Sequence, residues 1–425
     1  MSTKTIRFAP LLFIAFVFLF SCKKESPSIG GITGPSTVCY AAQQVTYAVA
    51  ASSAVDYISW SVPEGATITE GQGTSQITVN FGIKTGLVTA RPIKNNTEGA
   101  QQQISVTFGC VSGTWCRLLN FQGTARYCAL GFSANNKGYV LGGLGTNISG
   151  GTGTPLTDVW EYDQTANSWT QKSSIGVQGL NDGNYNYFVI NNILYMLRSD
   201  TSAKGNLRFI SYDPAVNVWS YKADFPGMNS YQDAGCFAAG GKGYVCCGPT
   251  RKNVAADSSY ELKTVWQYDP AVNLWTRKGD FPGEGRAKPM AFSLNNSGYV
   301  GTGFDNFNNT VPVVPLYDFW KYDALADSWT RLNDVGFNTT GPGLFSLQNE
   351  EYAIAGYNLP GGVFLKSSVK YNPVGDTWTS SWNFPGNERD YVTTFVINNT
   401  AYLGLGFHRD NSANYFLGEF YSFCQ

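Results

Sequence analysis

Tyr212-Asp213-Pro214-Ala215-Val216-Asn217-Val218-Trp219 returns almost letter for letter as Tyr268-Asp269-Pro270-Ala271-Val272-Asn273-Leu274-Trp275. The same spacing recurs along the chain. Trp169, Trp219, Trp275, Trp329 and Trp378 each follow a tyrosine by seven residues (Tyr162, Tyr212, Tyr268, Tyr322 and Tyr371), at intervals of 50, 56, 54 and 49 residues. The Asp-Pro start and the Asn suit a tight turn between two strands. A second series, Tyr139, Tyr195, Tyr244, Tyr299, Tyr352 and Tyr402, mostly follows turns such as Asn135-Asn136-Lys137-Gly138, whose residues adopt positive φ cheaply. Two hairpins per period make each unit a four-stranded antiparallel sheet. One such sheet cannot bury both faces, so the repeat predicts six sheets packed side by side as a β-propeller. Tyr421 reads as a sixth early tyrosine with no tryptophan after it, and Trp115 stands 54 residues before Trp169 with no tyrosine ahead of it. The strand around Trp115 is therefore expected to complete the last blade.

Composition agrees with an all-β chain. Of 425 residues, 47 are Gly, 15% are aromatic and only 14% are charged, which favours short strands and tight turns over salt-laced helices. Lys plus Arg number 29 against 30 Asp plus Glu, so recognition of nucleic acid through phosphate neutralisation is not expected. His408 is the single histidine, which argues against most zinc sites and proton shuttles. No cofactor, metal or catalytic constellation is expected.

Lys4 and Arg7 precede the apolar run Leu11 to Phe20, the layout of a secretory signal. The run is shorter than the roughly 20 residues needed to cross a bilayer. Its end, Leu19-Phe20-Ser21-Cys22, resembles the lipobox of bacterial lipoproteins. That resemblance implies removal of residues 1–21, lipidation at Cys22 and a place in the bacterial cell envelope, held to the outer membrane by acyl chains alone. Residues 22–29 read as a linker. Between 30 and 112 alternation such as Tyr57-Ile58-Ser59-Trp60-Ser61-Val62 predicts a small β-sandwich with Trp60 in its core. Gly34-Pro35-Ser36-Thr37-Val38-Cys39 and Ile77-Thr78-Val79-Asn80-Phe81-Gly82 resemble the PKD-like, immunoglobulin-like domains of bacterial surface proteins, which implies a spacer role.

Over 113–425, Gly138-Tyr139-Val140-Leu141-Gly142-Gly143, Asp158-Val159-Trp160-Glu161-Tyr162 and the Phe-Pro-Gly words at 225–227, 281–283 and 384–386 resemble kelch repeats of the galactose oxidase central-domain type. The resemblance implies a six-bladed kelch propeller. The copper chemistry of galactose oxidase needs two histidines, and this chain has one. The repeat tyrosines and tryptophans are expected to be core residues.

Thirteen residues before each strand tyrosine lie Arg126, Asp182, Tyr231, Arg286, Thr339 and Arg389. These are expected at the channel rim, where guanidiniums could grip an anionic or polyhydroxylated ligand through paired hydrogen bonds. The alternative is that each arginine pairs with a neighbouring carboxylate. Asp182, Asp233, Asp305, Glu388 and Asp410 fall in loops on the same face and leave carboxylate chemistry on a sugar open. His408 reads as a surface imidazole. The expected function is binding of a glycan or a surface protein. A second reading rests on resemblance to the six-bladed sialic acid mutarotases and epimerases, which use an acidic group and an arginine. Two cysteine pairings have a geometric basis: Cys236 with Cys247 across a hairpin, and Cys424 with Cys116 or Cys110.

Overall fold

The computed structural model describes residues 26–51, 55–145, 153–175, 186–199, 207–227, 233–250, 260–261, 263–305, 314–358, 361–410 and 414–425. The signal segment, Cys22, Asp182 and Tyr231 lie outside them. The chain divides into two units, one of residues 1–36 with 43–106 and one of 37–42 with 107–425.

The first unit holds an antiparallel sheet ordered Ile29–Thr33, Val45–Ala51, Gln76–Asn80, Thr67–Glu70. A second sheet pairs Tyr57–Ser61 with Gly86–Lys94, which in turn pairs with Gln102–Phe108. Alternate residues are buried, among them Tyr47, Ile58, Trp60, Ile77, Val79, Val88 and Ala90. Trp60 is a core residue, and its indole N–H is satisfied by the Thr74 carbonyl at 2.8 Å.

In the second unit, six four-stranded antiparallel sheets follow one plan, named here by their first strands: I (Leu130–Ala134), II (Asn186–Ile190), III (Gly235–Ala239), IV (Met290–Leu294), V (Gly343–Leu347) and VI (Thr393–Ile397). The repeated word is the hairpin between third and fourth strands. In sheets I to V its Tyr and Trp face each other, as in Tyr212↔Trp219 and Tyr268↔Trp275. The Asp carboxylate holds the turn by accepting from the N–H two residues on, at 2.9 Å for Asp213 and Asp269. Asn217 and Asn273 take the left-handed conformation, with φ of 56° and 53°, and accept a hydrogen bond from the tyrosine hydroxyl five residues back at 2.7 and 2.8 Å. One word thus encodes a turn, its left-handed residue and a partner for an otherwise buried phenol.

Sheet VI is finished by Thr114–Arg117, with Trp115 opposite Phe423 and the two rings 5.0 Å apart. Phe423, not Tyr421, therefore holds the place of the repeat tyrosine. Tyr421 pairs with Leu403 as Trp160 pairs with Val140, so the spacing count was two residues short where no tryptophan followed to fix it.

Neighbouring sheets share apolar cores: I with II around Leu130, Tyr139, Met196 and Tyr212, and so on through V with VI. Sheet VI also shares one with sheet I around Phe395, Tyr402, Tyr162 and Trp169. Contact there is so close that a Cβ on Gly138 would lie 2.1 Å from the Phe395 ring. Two disulfides lie within this unit, Cys39–Cys116 and Cys110–Cys424. Of the two partners considered for Cys424 the structure selects Cys110. Cys236 faces Val245 rather than Cys247, because the turn is centred one residue earlier than the symmetric count and the partner therefore shifts by two, and both thiols are free.

Candidate functional site

Arg126, Arg286 and Arg389 are fully buried. Each guanidinium repeats one set of bonds. Nε donates to the carbonyl two residues back (Thr124, Glu284, Asn387) and one terminal nitrogen to the carbonyl sixteen residues on (Gly142, Thr302, Leu405). The other terminal nitrogen reaches Asp158 and Asp318 at 2.7 Å and Glu419 at 2.9 Å. Each lies over a phenylalanine five residues earlier, Phe121, Phe281 or Phe384, at 4.6 to 5.0 Å. The Phe-Pro-Gly words at 281 and 384 thus supply platforms for arginines. Asp158 and Asp318 also accept from the indoles of Trp160 and Trp320 at 2.7 Å. Burial raises the pKa of these two carboxylates, but the arginine and indole bonds outweigh it and hold them below the usual range. Thr339, also buried, sends its hydroxyl toward the equivalent carbonyl, Ala355, at 3.4 Å. These four predicted rim residues are turned into the protein, and the arginines follow the alternative weighed for them: each is paired with a carboxylate.

The residue two positions further on is the one at an opening. Cys128, Asp233, Lys288, Gly341 and Tyr391 are all half-buried and all left-handed, with φ of 54°, 55°, 51°, 63° and 51°. They stand where the chain turns into each first strand. Lys288 N–H donates to the Asp233 carbonyl and Tyr391 N–H to the Gly341 carbonyl, both at 3.0 Å, tying each turn to that of the preceding sheet. All five line a cavity of about 580 Å³, walled by the first strands of all six sheets. That size suits a small ligand.

Among the described residues that line the cavity, Lys288 is the cation. Its ammonium donates to the Tyr391 hydroxyl at 2.7 Å and lies 5.3 Å from that ring's centre. Burial alone would lower its pKa, but the charge of Asp233 and the Tyr391 phenol outweigh burial and raise it, so it stays charged. Burial likewise raises the Tyr391 phenol, and Lys288 opposes the rise. Beside them Asp390 is buried, one carboxylate oxygen has no hydrogen-bond partner, and desolvation lifts its pKa to about 7 against the pull of Lys288. Within the cavity wall Glu351 is buried against the Ser346 hydroxyl, and burial lifts it to about 8 despite that bond.

Of the loop carboxylates singled out in the sequence, Asp233 is at the cavity, while Glu388 is 3.0 Å from Lys366. His408 is half-buried, with Nδ1 2.6 Å from the Glu388 carbonyl. Lys288, Tyr391, Asp390 and Glu351 were missed. Their residue types do not repeat from sheet to sheet, so periodicity carries no sign of them. The available signal was that an arginine at a fixed repeat position needs a partner, which would have turned attention to its neighbours.

Residues 25–106 match the PKD-like domain family. The chain is also 24% identical over 267 residues to Kelch-like protein 25 of Xenopus tropicalis, covering 61% of this chain and 40% of the relative. It is 27% identical over 234 residues to N-acetylneuraminate epimerase of Pasteurella multocida, covering 45% of this chain and 60% of the relative. To the enzyme of that name from Salmonella typhi it is 22% identical over 294 residues, 68% of each chain. The chain therefore spans 40% and 60% of the first two relatives' lengths, less than two thirds of either. It carries a PKD-like domain and has kelch-repeat relatives.

Proposed function

We propose that the six sheets are the blades of a kelch-type β-propeller, and that the cavity on their axis is a binding site for a small acidic glycan. The cores running from sheet I through VI and back to I support the first part. One observation carries the second: Lys288, the cavity's cation, has a phenol rather than a carboxylate as its closest partner. An ammonium bonded to a neutral hydroxyl keeps most of its charge available to an incoming carboxylate. Tyr391 and Asp233 then present a donor and an acceptor to ligand hydroxyls. On this reading the PKD-like domain is a spacer, and Cys22 carries the lipid that holds the protein in the bacterial envelope.

Calorimetric titration with N-acetylneuraminate and with neutral N-acetylmannosamine tests the ligand class. Binding of the acidic sugar alone, lost in Lys288→Met, is the expected result, and equal binding of both sugars in that variant removes the basis of the proposal. A surface protein as partner would bind independently of Lys288. A second reading, epimerisation of an acidic sugar, draws on the relatives of that name and on Glu351, a cavity carboxyl titrating near neutrality. Anomer or epimer exchange followed by NMR, absent in Glu351→Gln, would establish it. For the anchor, Cys22→Ser should release the protein from the membrane fraction.

A further inference from the structure

A run of aromatic side chains from sheets V, VI and I leads away from Tyr391 at the cavity. Tyr391 lies 6.0 Å from Tyr127, Tyr127 5.6 Å from Phe407, Phe407 5.7 Å from Phe364, and Phe364 5.2 Å from Tyr357, centre to centre. Phe416 stacks on Tyr127 at 5.2 Å. All six rings are half-buried and stand outside the cores that the sheets share. Phe407, Phe416, Tyr357 and Phe364 sit on the small hairpins beyond the second strands, where sheet VI has Phe407–Arg409 with Asn414–Phe416 and sheet V has Tyr357–Asn358 with Val363–Phe364, while Tyr127 and Tyr391 stand just before the first strands of sheets I and VI. Among the described residues, the matching hairpins hold Leu144, Gly145, Thr154 and Pro155 in sheet I, Pro249, Thr250, Tyr260 and Glu261 in sheet III, and Phe304, Asp305, Val314 and Pro315 in sheet IV. Among the described residues, this run of adjoining rings belongs to sheets V, VI and I.

Polar groups accompany the rings. Arg409 stacks on Phe407 at 5.6 Å and donates to Asn414 at 2.9 Å, while His408 stacks on Tyr415 at 5.9 Å. Rings alternating with donors and acceptors match a molecule with apolar faces and hydroxylated edges, which describes a pyranose. A protein partner's apolar side chains would favour a patch without interleaved polar groups.

We propose that this sector is a track for sugar rings, so that the ligand is an oligosaccharide whose acidic end reaches Lys288 and whose following units lie along Tyr391, Tyr127, Phe407 and Phe364. The inference rests on Lys288 receiving an acidic sugar and adds the length and course of the ligand. Titration of the purified protein with N-acetylneuraminate and with 3′-sialyllactose tests it. The trisaccharide is expected to bind roughly 10-fold more tightly. Tyr127→Leu and Phe407→Leu keep apolar volume but remove the flat face. Both should bring the trisaccharide down to the monosaccharide's affinity and leave the monosaccharide's unchanged, whereas Lys288→Met should weaken both. Equal wild-type affinities, or a trisaccharide gain that survives both leucine variants, would overturn the track and leave the Lys288 site standing. Failure of either sugar to bind would overturn both.

Discussion

Two sets of side chains, two residues apart in each repeat, meet opposite fates. Arg126, Arg286 and Arg389 are fully buried and each guanidinium nitrogen donates at least one hydrogen bond, whereas Cys128, Lys288 and Tyr391 face a cavity from left-handed backbone. Strong donors at a regular repeat position become part of the repeat's own scaffold, and irregular residues at the next turn line the cavity. Each arginine bonds within its own sheet's stretch of chain. The turns at the cavity are instead tied from one sheet to the next through backbone bonds such as Lys288 N–H to the Asp233 carbonyl, which leaves their side chains uncommitted by the repeat.

The sharpest test of this division is Arg286→Ala, which strands the Asp318 carboxylate and removes three bonds to Arg286. A loss of about 3 kcal/mol or more is expected, read from denaturant unfolding. Arg286→Lys should recover little of it, because an ammonium cannot reproduce the fork over Phe281. Stability near wild type in both variants would mean that the buried arginine is no clamp.

Carboxylates distinguish the two regions by their pH response. Asp318 is held below its ordinary value, so its pairing stabilises above pH about 4 and that contribution fades as pH falls through the folded pKa. Glu351 has no cation against it and is lifted to about 8. The folded state keeps a proton that the unfolded chain releases above about 4.5, so stability falls as pH rises from there to about 8 and then levels. Asp390, lifted to about 7, adds a slope of the same sign that ends earlier. Glu351→Gln should flatten the alkaline side by about 4 kcal/mol between pH 5 and 9, leaving the acid side unchanged. A wild-type profile with no alkaline decline would contradict the burial of this carboxyl.

The legibility of these features in the sequence follows the same division. The Tyr-Asp-Pro hairpin word, the four-stranded sheets and the pairing of Trp115 with the chain's last strand could be read because each uses a spacing that physics repeats in every copy. The cavity residues could not. Lys288 and Tyr391 occupy one structural position with unlike letters, and only Gly341 there signals positive φ by its identity. Arginine at this repeat position stayed open to two readings, ligand grip or carboxylate pairing, because one sequence does not display which carboxylate, some thirty residues later, lies against it. Asp158, Asp318 and Glu419 complete the clamps; the first two open the words that end in Tyr162 and Tyr322, but nothing in those words says what they pair with.

The smallest expected effect separates the two sets most directly. A lysine at φ 51° carries a backbone penalty of roughly 1 kcal/mol that glycine avoids. Lys288→Gly also loses the hydrogen bond to Tyr391 and frees the unfolded chain, and each of these costs several tenths of a kcal/mol. The terms nearly cancel, so unfolding stability should stay within about 1 kcal/mol of wild type. Ligand affinity should nonetheless fall as far as in Lys288→Met, because both variants remove the ammonium. Such a pair of results would mark position 288 as one where the fold tolerates a strained residue for the sake of its side chain. If Lys288→Gly instead destabilised the protein as Arg286→Ala is expected to, the lysine would belong with the clamps, and the cavity would be left without the charge on which recognition of an acidic sugar depends.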